Sequence, residues 1–225
     1  MGLVAEDGLE SPWTYPDKKI QSSLQARNRL IVRLLLTFGL RRGDLLKLYT
    51  TDALVSGSSK VLRVRRRPDD PMDSRRSEPN VKTQERDLPL SNALASELDI
   101  YVRIARLSIP GARRSPYLFL DVKRGCPLSL RALNDVFNPL RKIFPRLHPH
   151  VCRHTCNELI LQESDANGIS RSRALKHMRY INGWLGDNSG VYTRRLVREE
   201  ARALSLDMQH RLFTLEKFDP KNNEK

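Results

Sequence analysis

The sequence is poor in aromatic residues: six Tyr, six Phe and two Trp make up 6% of 225 residues. So few rings argue against a stacking surface for single-stranded bases. Cysteine is scarcer still. Cys126, Cys152 and Cys156 show no framework spacing, which excludes a disulfide scaffold and points to a reducing compartment. Long apolar runs are missing as well. Those present, such as the run around Leu34 to Leu36 preceded by Arg33, are short, so no signal peptide or membrane span is visible. The expected location is the cytoplasm, with no membrane partner. There is no internal repeat and no low-complexity block. Acidic residues are in deficit, 26 Asp and Glu against 40 Lys and Arg, a formal charge of +14. That excess asks for a polyanionic partner, most simply nucleic acid. The length fits one large domain or two small ones.

The densest chemistry lies between His148 and Cys156, His-Pro-His-Val-Cys-Arg-His-Thr-Cys, just before the apolar run Leu159-Ile160-Leu161. Pro149 suits the first turn of a helix, where its missing N–H costs little. His150, Arg153 and His154 are three and four residues apart, which places them on one helical face. A helix start carrying His and Arg is an anion site, and for a basic protein the anion is a phosphate. Two other readings compete. These residues could be ordinary solvated polar groups, or His148, His150, Cys152, His154 and Cys156 could hold a metal. Structural zinc takes paired ligands from separate elements. Here all candidates fall on one helix and cannot all face one ion, and the remaining cysteine, Cys126, has no pair.

Taken in order, residues 1–20 read as an arm or linker with Pro12 and Pro16. Ser22 or Ser23 can cap a helix to about Phe38, with Leu24, Leu30, Ile31, Leu34, Leu35 and Phe38 as its apolar stripe. Gly39 stops it. Arg41 then falls on a turn before Leu45, Leu46 and Leu48, which anchor a second short helix; a solvated surface arginine is the ordinary alternative. Val61 to Arg65 alternates like a strand, and residues 81–90 read as its return, ending at Pro89. Between them, residues 68–80 read as a long, polar, mobile connection. Ser91 can cap a helix to about Leu107, with Leu94, Leu98, Tyr101, Val102 and Ala105 inward. Ser129 caps another, Leu130 to Phe144, which Pro139 must kink or break. The His/Arg helix runs to about Gln162. A segment from Leu175 to Ile181 leads to Gly183 and Trp184. A last helix after Tyr192 carries Leu196, Ala201, Leu204 and Met208, and 214–225 is a polar tail.

Four scattered motifs share one order. Gly39-Leu40-Arg41-x-x-Asp44-Leu45 resembles the first arginine box of the tyrosine recombinases, the phage integrase family. Val81-Lys82-Thr83, with Arg86 and Leu88-Pro89-Leu90, resembles their β-hairpin lysine motif. His150-x-x-Arg153-His154 resembles their second box. Gly183-Trp184 followed by Tyr192-Thr193 resembles the last box, which holds the tyrosine nucleophile. The motifs span residues 39–192.

The resemblance implies an α+β, mainly helical fold with a small antiparallel β-sheet, the DNA breaking-rejoining catalytic fold, over residues 21–213. It implies site-specific DNA cleavage and rejoining through a 3′-phosphotyrosine link, with neither cofactor nor metal. It assigns Tyr192 as nucleophile and Arg41 and Arg153 as phosphate clamps. His150 would be the base, Lys82 the acid, and Trp184 a phosphate donor that packs the tyrosine segment. Asp44 would orient an arginine, and His154 would be structural. The chemistry needs these types: a covalent intermediate splits one hard step into two, and fixed charge stabilises the transition state. The implied partners are double-stranded DNA, further copies of the chain in a tetramer on DNA, and accessory DNA-bending proteins. The sequence departs from the family in three ways. Seven residues separate Trp184 from Tyr192, which leaves His177 as a weak substitute at the tryptophan's position. The hairpin loop is long. The N-terminal helical domain that clamps the other face of DNA is missing, so the chain is expected to be a catalytic fragment or a minimal enzyme. A type IB topoisomerase-like enzyme and a non-catalytic DNA-binding regulator on the same fold are the alternatives.

Overall fold

The structure, a computed structural model, describes residues 11–77 and 79–184. Its first helix, α1 (Lys18–Phe38), opens earlier than the serines suggest. The Asp17 carboxylate accepts from the Ile20 amide at 3.3 Å and does the capping. Ser23 instead turns inward to share a 2.6 Å hydrogen bond with Ser108. Leu30, Ile31, Leu34 and Leu35 are fully buried, each stabilising the fold by roughly 1.5–3 kcal/mol. Upstream, Trp13 is buried in the same core and donates its indole N–H to the Val136 carbonyl at 2.8 Å. Gly39, at φ +54°, ends the helix. The short α2 (Arg42–Leu46) follows and buries Leu45 and Leu46.

The sheet is antiparallel in the order β1 (Ala53–Leu54), β2 (Val61–Val64) and β3 (Arg86–Pro89). Leu62 faces Leu88 and Val64 faces Arg86 across the β2–β3 ladder. Leu62, Val64 and Leu88 point into the core. The return strand is shorter than the pattern suggests. Residues 81–85 direct their hydrogen bonds elsewhere: the Thr83 hydroxyl to Asp44 at 2.8 Å, and the Gln84 amide to the Gly183 carbonyl at 3.0 Å.

The connection between β2 and β3 carries buried ion pairs and hydrogen bonds at Asp70, Asp73 and Arg75. Lys47, 2% exposed, pairs with Asp73 at 3.2 Å. Asp73 also takes two bonds from Arg75, at 2.7 and 2.6 Å. Burial opposes ionisation of Asp73, yet the Arg75 and Lys47 donors outweigh it and hold its carboxyl at about 2. The hydroxyls of Tyr49 and Tyr117 both donate to Asp70 at 2.5 Å. Burial and that carboxylate push Tyr49 up to about 12.

α3 (Asn92–Ile100) is capped by Ser91, whose hydroxyl accepts from the Leu94 amide at 3.2 Å, and widens into a π-helical turn over Tyr101–Ala105. α4 (Leu130–Asp135) is capped by Ser129 and stops before Pro139. α5 (Pro149–Ala166) packs along α1, and α6 (Arg171–Asn182) packs against α5. Among the described residues no helix is long and apolar enough to cross a membrane.

Candidate active site

The start of α5 separates its side chains by direction. His148 occupies the N-cap, where its Nδ1 accepts from the His150 amide at 3.2 Å, and Pro149 takes the first helical position. His150 stays exposed. His154 lies one turn on, with the two rings edge to face at 4.4 Å. Partial burial lowers the His150 pKa from its ordinary 6.5, and the neighbours His154, His148, Arg153 and Arg41 lower it further. A neutral imidazole is therefore favoured, as a base requires. Arg153 turns inward and is 3% exposed. It donates to the carbonyl of Gly39 and, at 3.1 Å, to that of Asn182. One guanidinium thus joins the end of α1, the start of α5 and the end of α6.

Arg41 occupies the N-cap of α2 and is only half-buried. Its backbone amide donates to Asp44 at 3.2 Å, and its guanidinium reaches the Lys82 carbonyl at 3.4 Å. Asp44 is 1% exposed. Its charge pairs with Arg86 at 3.2 Å, while it holds Arg41 through the main chain. Lys82 is exposed and lies four residues before β3. Its loop lies close against α2 because position 43 is glycine: a Cβ there would sit 2.1 Å from the Asn80 carbonyl oxygen.

Arg41, Lys82, His150 and Arg153 line one cleft of about 820 Å³, together with Arg42, Asn134, Arg141 and His148. Asp44 lies beneath it, and His154 lies against His150. Trp184 is 3% exposed and closes α6 by donating its amide to the Arg179 carbonyl at 3.1 Å; it is not among the residues lining the cleft. Tyr192 lies outside the described residues, as does the helix expected after it. Among the described residues no group of three His, Cys, Asp or Glu side chains is arranged to hold a metal. Burial pushes the Cys152 and Cys156 thiols up to about 11, which leaves them inert as metal-binding thiolates near neutral pH.

Sequence reasoning passed over two groups. Arg86, 4% exposed, was quoted for a motif without a role. A signal was available: Arg86 and Leu88 are two apart in a strand, so an inward Leu88 carries Arg86 inward too. Asn182 is fully buried and donates to Asn157 at 2.6 Å and to the Met178 carbonyl. Nothing local marks it, because α5 and α6 must pack before the pair exists.

The family profile described as "Phage integrase family" matches residues 6–177. No curated protein sequence matches the chain. Several solved structures share the fold, three of them as follows. The XerH site-specific recombinase bound to difH substrate, in a pre-cleavage complex, matches with a TM-score of 0.57 at 18% identity over 84% of this chain and 47% of its own. Its post-cleavage complex on palindromic difH matches with a TM-score of 0.58 at 17% identity, over 87% of this chain and 53% of its own. The XerA recombinase matches with a TM-score of 0.52 at 21% identity, over 90% and 66%. The chain therefore spans between about half and two thirds of the length of these structures.

Proposed function

The chain belongs to the phage integrase family, and from that premise we propose that it is a tyrosine recombinase that cleaves and rejoins DNA at specific sites. The observation that carries the reading is the cleft, which Arg41, Lys82, His150 and Arg153, drawn from three separate stretches of sequence, line together. In this reading the phenolic oxygen of Tyr192 attacks phosphorus and His150 takes its proton. The bond to the 5′-oxygen breaks as Lys82 protonates that oxygen. Arg41 and Arg153 hold the nonbridging oxygens and stabilise the added charge. A 5′-hydroxyl then attacks the phosphotyrosine, and the same groups run in reverse. The bond energy is conserved in the covalent link, so rejoining needs no ATP. Trp184 packs the segment that leads to Tyr192. Substrates nicked beside the cleavage point trap such a link. An adduct is expected with a chelator present, and none from Tyr192→Phe. Binding without an adduct would instead identify a DNA-binding regulator.

Double-stranded DNA is the partner that the +14 charge fits, with affinity falling steeply as salt rises. Assembly to a tetramer on DNA follows from the same reading, with the stripe Leu196, Leu204 and Met208 docking on a neighbouring copy. Truncation after Arg198 should spare single-copy binding and abolish larger complexes. Sedimentation on paired sites decides this, and full assembly by the truncated chain refutes it.

A further inference from the structure

Three consecutive carbonyls at the end of α6 accept hydrogen bonds from three parts of the site. Ile181 accepts from Arg86 Nε at 2.7 Å, Asn182 from Arg153 Nη2 at 3.1 Å, and Gly183 from the Gln84 amide at 3.0 Å. The last turn of a helix leaves carbonyls without intrahelical donors. Here elements on both sides of the cleft supply them.

Arg86 contributes most of this linkage. Its Nη1 donates to the Thr83 hydroxyl and to the Gln84 carbonyl, both at 3.0 Å, and its Nη2 donates to Asp44 at 3.2 Å. Asp44 in turn holds the Arg41 backbone, and Thr83 adjoins Lys82. One planar group therefore ties the Arg41 turn, the Lys82 loop and the end of α6. Arg86 is 4% exposed and does not line the cleft. Gly183 completes the fit. At φ +61° it lies so close that a Cβ would stand 2.5 Å from Arg86 Nη1.

From this geometry we infer that Arg86 is a positioning residue, which sets the place of the end of α6 and Trp184 relative to Arg41 and Lys82. The inference rests on the proposed recombinase reading for its catalytic consequence, but the coupling itself is a property of the fold. Lysine keeps the charge but lacks the fork, so it cannot serve the carboxylate, the hydroxyl and two carbonyls at once. Misplacing reacting groups by about 1 Å costs on the order of 100-fold in rate while ground-state binding survives.

The experiment compares Arg86→Lys and Gly183→Ala with the parent, in the 225-residue chain carrying Trp13→Phe so that Trp184 is its sole indole. Adduct formation on a nicked duplex gives the rate and the half-saturating DNA concentration, and Trp184 emission gives the local environment. Both variants are expected to keep the half-saturating concentration, lose on the order of 100-fold in rate, and shift Trp184 emission to the red. A merely structural role would lower melting temperature, binding and rate together, and the rate would return at temperatures where the variant is fully folded. A folded Arg86→Lys with parental rate and emission overturns the inference. If the parent forms no adduct, the recombinase reading fails. Emission then decides the coupling alone: an unshifted Trp184 in both folded variants refutes it.

Discussion

Gly43→Ala tests whether the Lys82 loop is held in place by contact with α2. The backbone at residue 43 is not left-handed, so alanine fits the helix and improves its propensity by about 1 kcal/mol. Against this, the new Cβ would stand 2.1 Å from the Asn80 carbonyl oxygen and 3.0 Å from its carbon. Ordinary contact begins at 3.4 Å, so the loop must retreat by on the order of 1 Å. It has little freedom to do so. Asp73 is locked to Lys47 and Arg75 upstream, Val81 is buried, and Thr83 is bonded to Asp44 downstream. Overpacking of this kind costs about 1–3 kcal/mol. Less the propensity gain, the net loss is about 0–2 kcal/mol, a melting shift of at most roughly 8 °C for a chain of this size. The effect on chemistry should be larger, on the order of 100-fold, because Lys82 and the carbonyl that receives Arg41 move together. Single-turnover adduct formation and thermal melting measure the two quantities. An alanine variant that forms adduct at the parental rate refutes the reasoning, whatever its stability.

Three further outcomes follow from the site. Arg41→Ala should lower the adduct rate by about 100- to 1,000-fold with little change in melting, because the side chain is half-exposed. Arg153→Ala should match that loss and also destabilise the fold, by about 1–3 kcal/mol for each buried carbonyl left without its donor; near-parental rates in either variant refute the clamp. The pH profile reports His150, whose pKa lies below 6.5 in the folded chain. The neutral base persists to below pH 6.5, so the acid limb of the rate should fall there and vanish in His150→Gln. The stability linked to neutral His150 is likewise complete above pH 6.5 and lost as pH falls through the lowered value. An acid limb at or above 6.5 contradicts this assignment.

What the sequence made legible was mostly local. The α1 stripe, the Gly39 stop, the Ser91 and Ser129 caps and the break at Pro139 depend on neighbours a few residues away, and each is present. The errors have a shared cause in distant partners. The buried contacts of Asp70 and Asp73 were not legible because their partners Lys47, Tyr49 and Tyr117 lie elsewhere in the chain. The strand after Lys82 read as longer because the bonds that divert it end on Asp44 and Gly183. Motif order named Arg41, Lys82, His150 and Arg153, but their meeting in one cleft is a tertiary fact that no spacing contains.

The buried lock on the β2–β3 connection has a consequence for ionic strength. Lys47, Asp70 and Asp73 are each under 5% exposed on their side chains, and mobile ions screen such pairs far less than surface charges. Salt strong enough to strip polyanions from this basic chain therefore leaves the loop fastened. Binding of polyanions and site architecture respond to different ranges of the same variable, so at high salt the Lys82 side of the cleft should remain assembled.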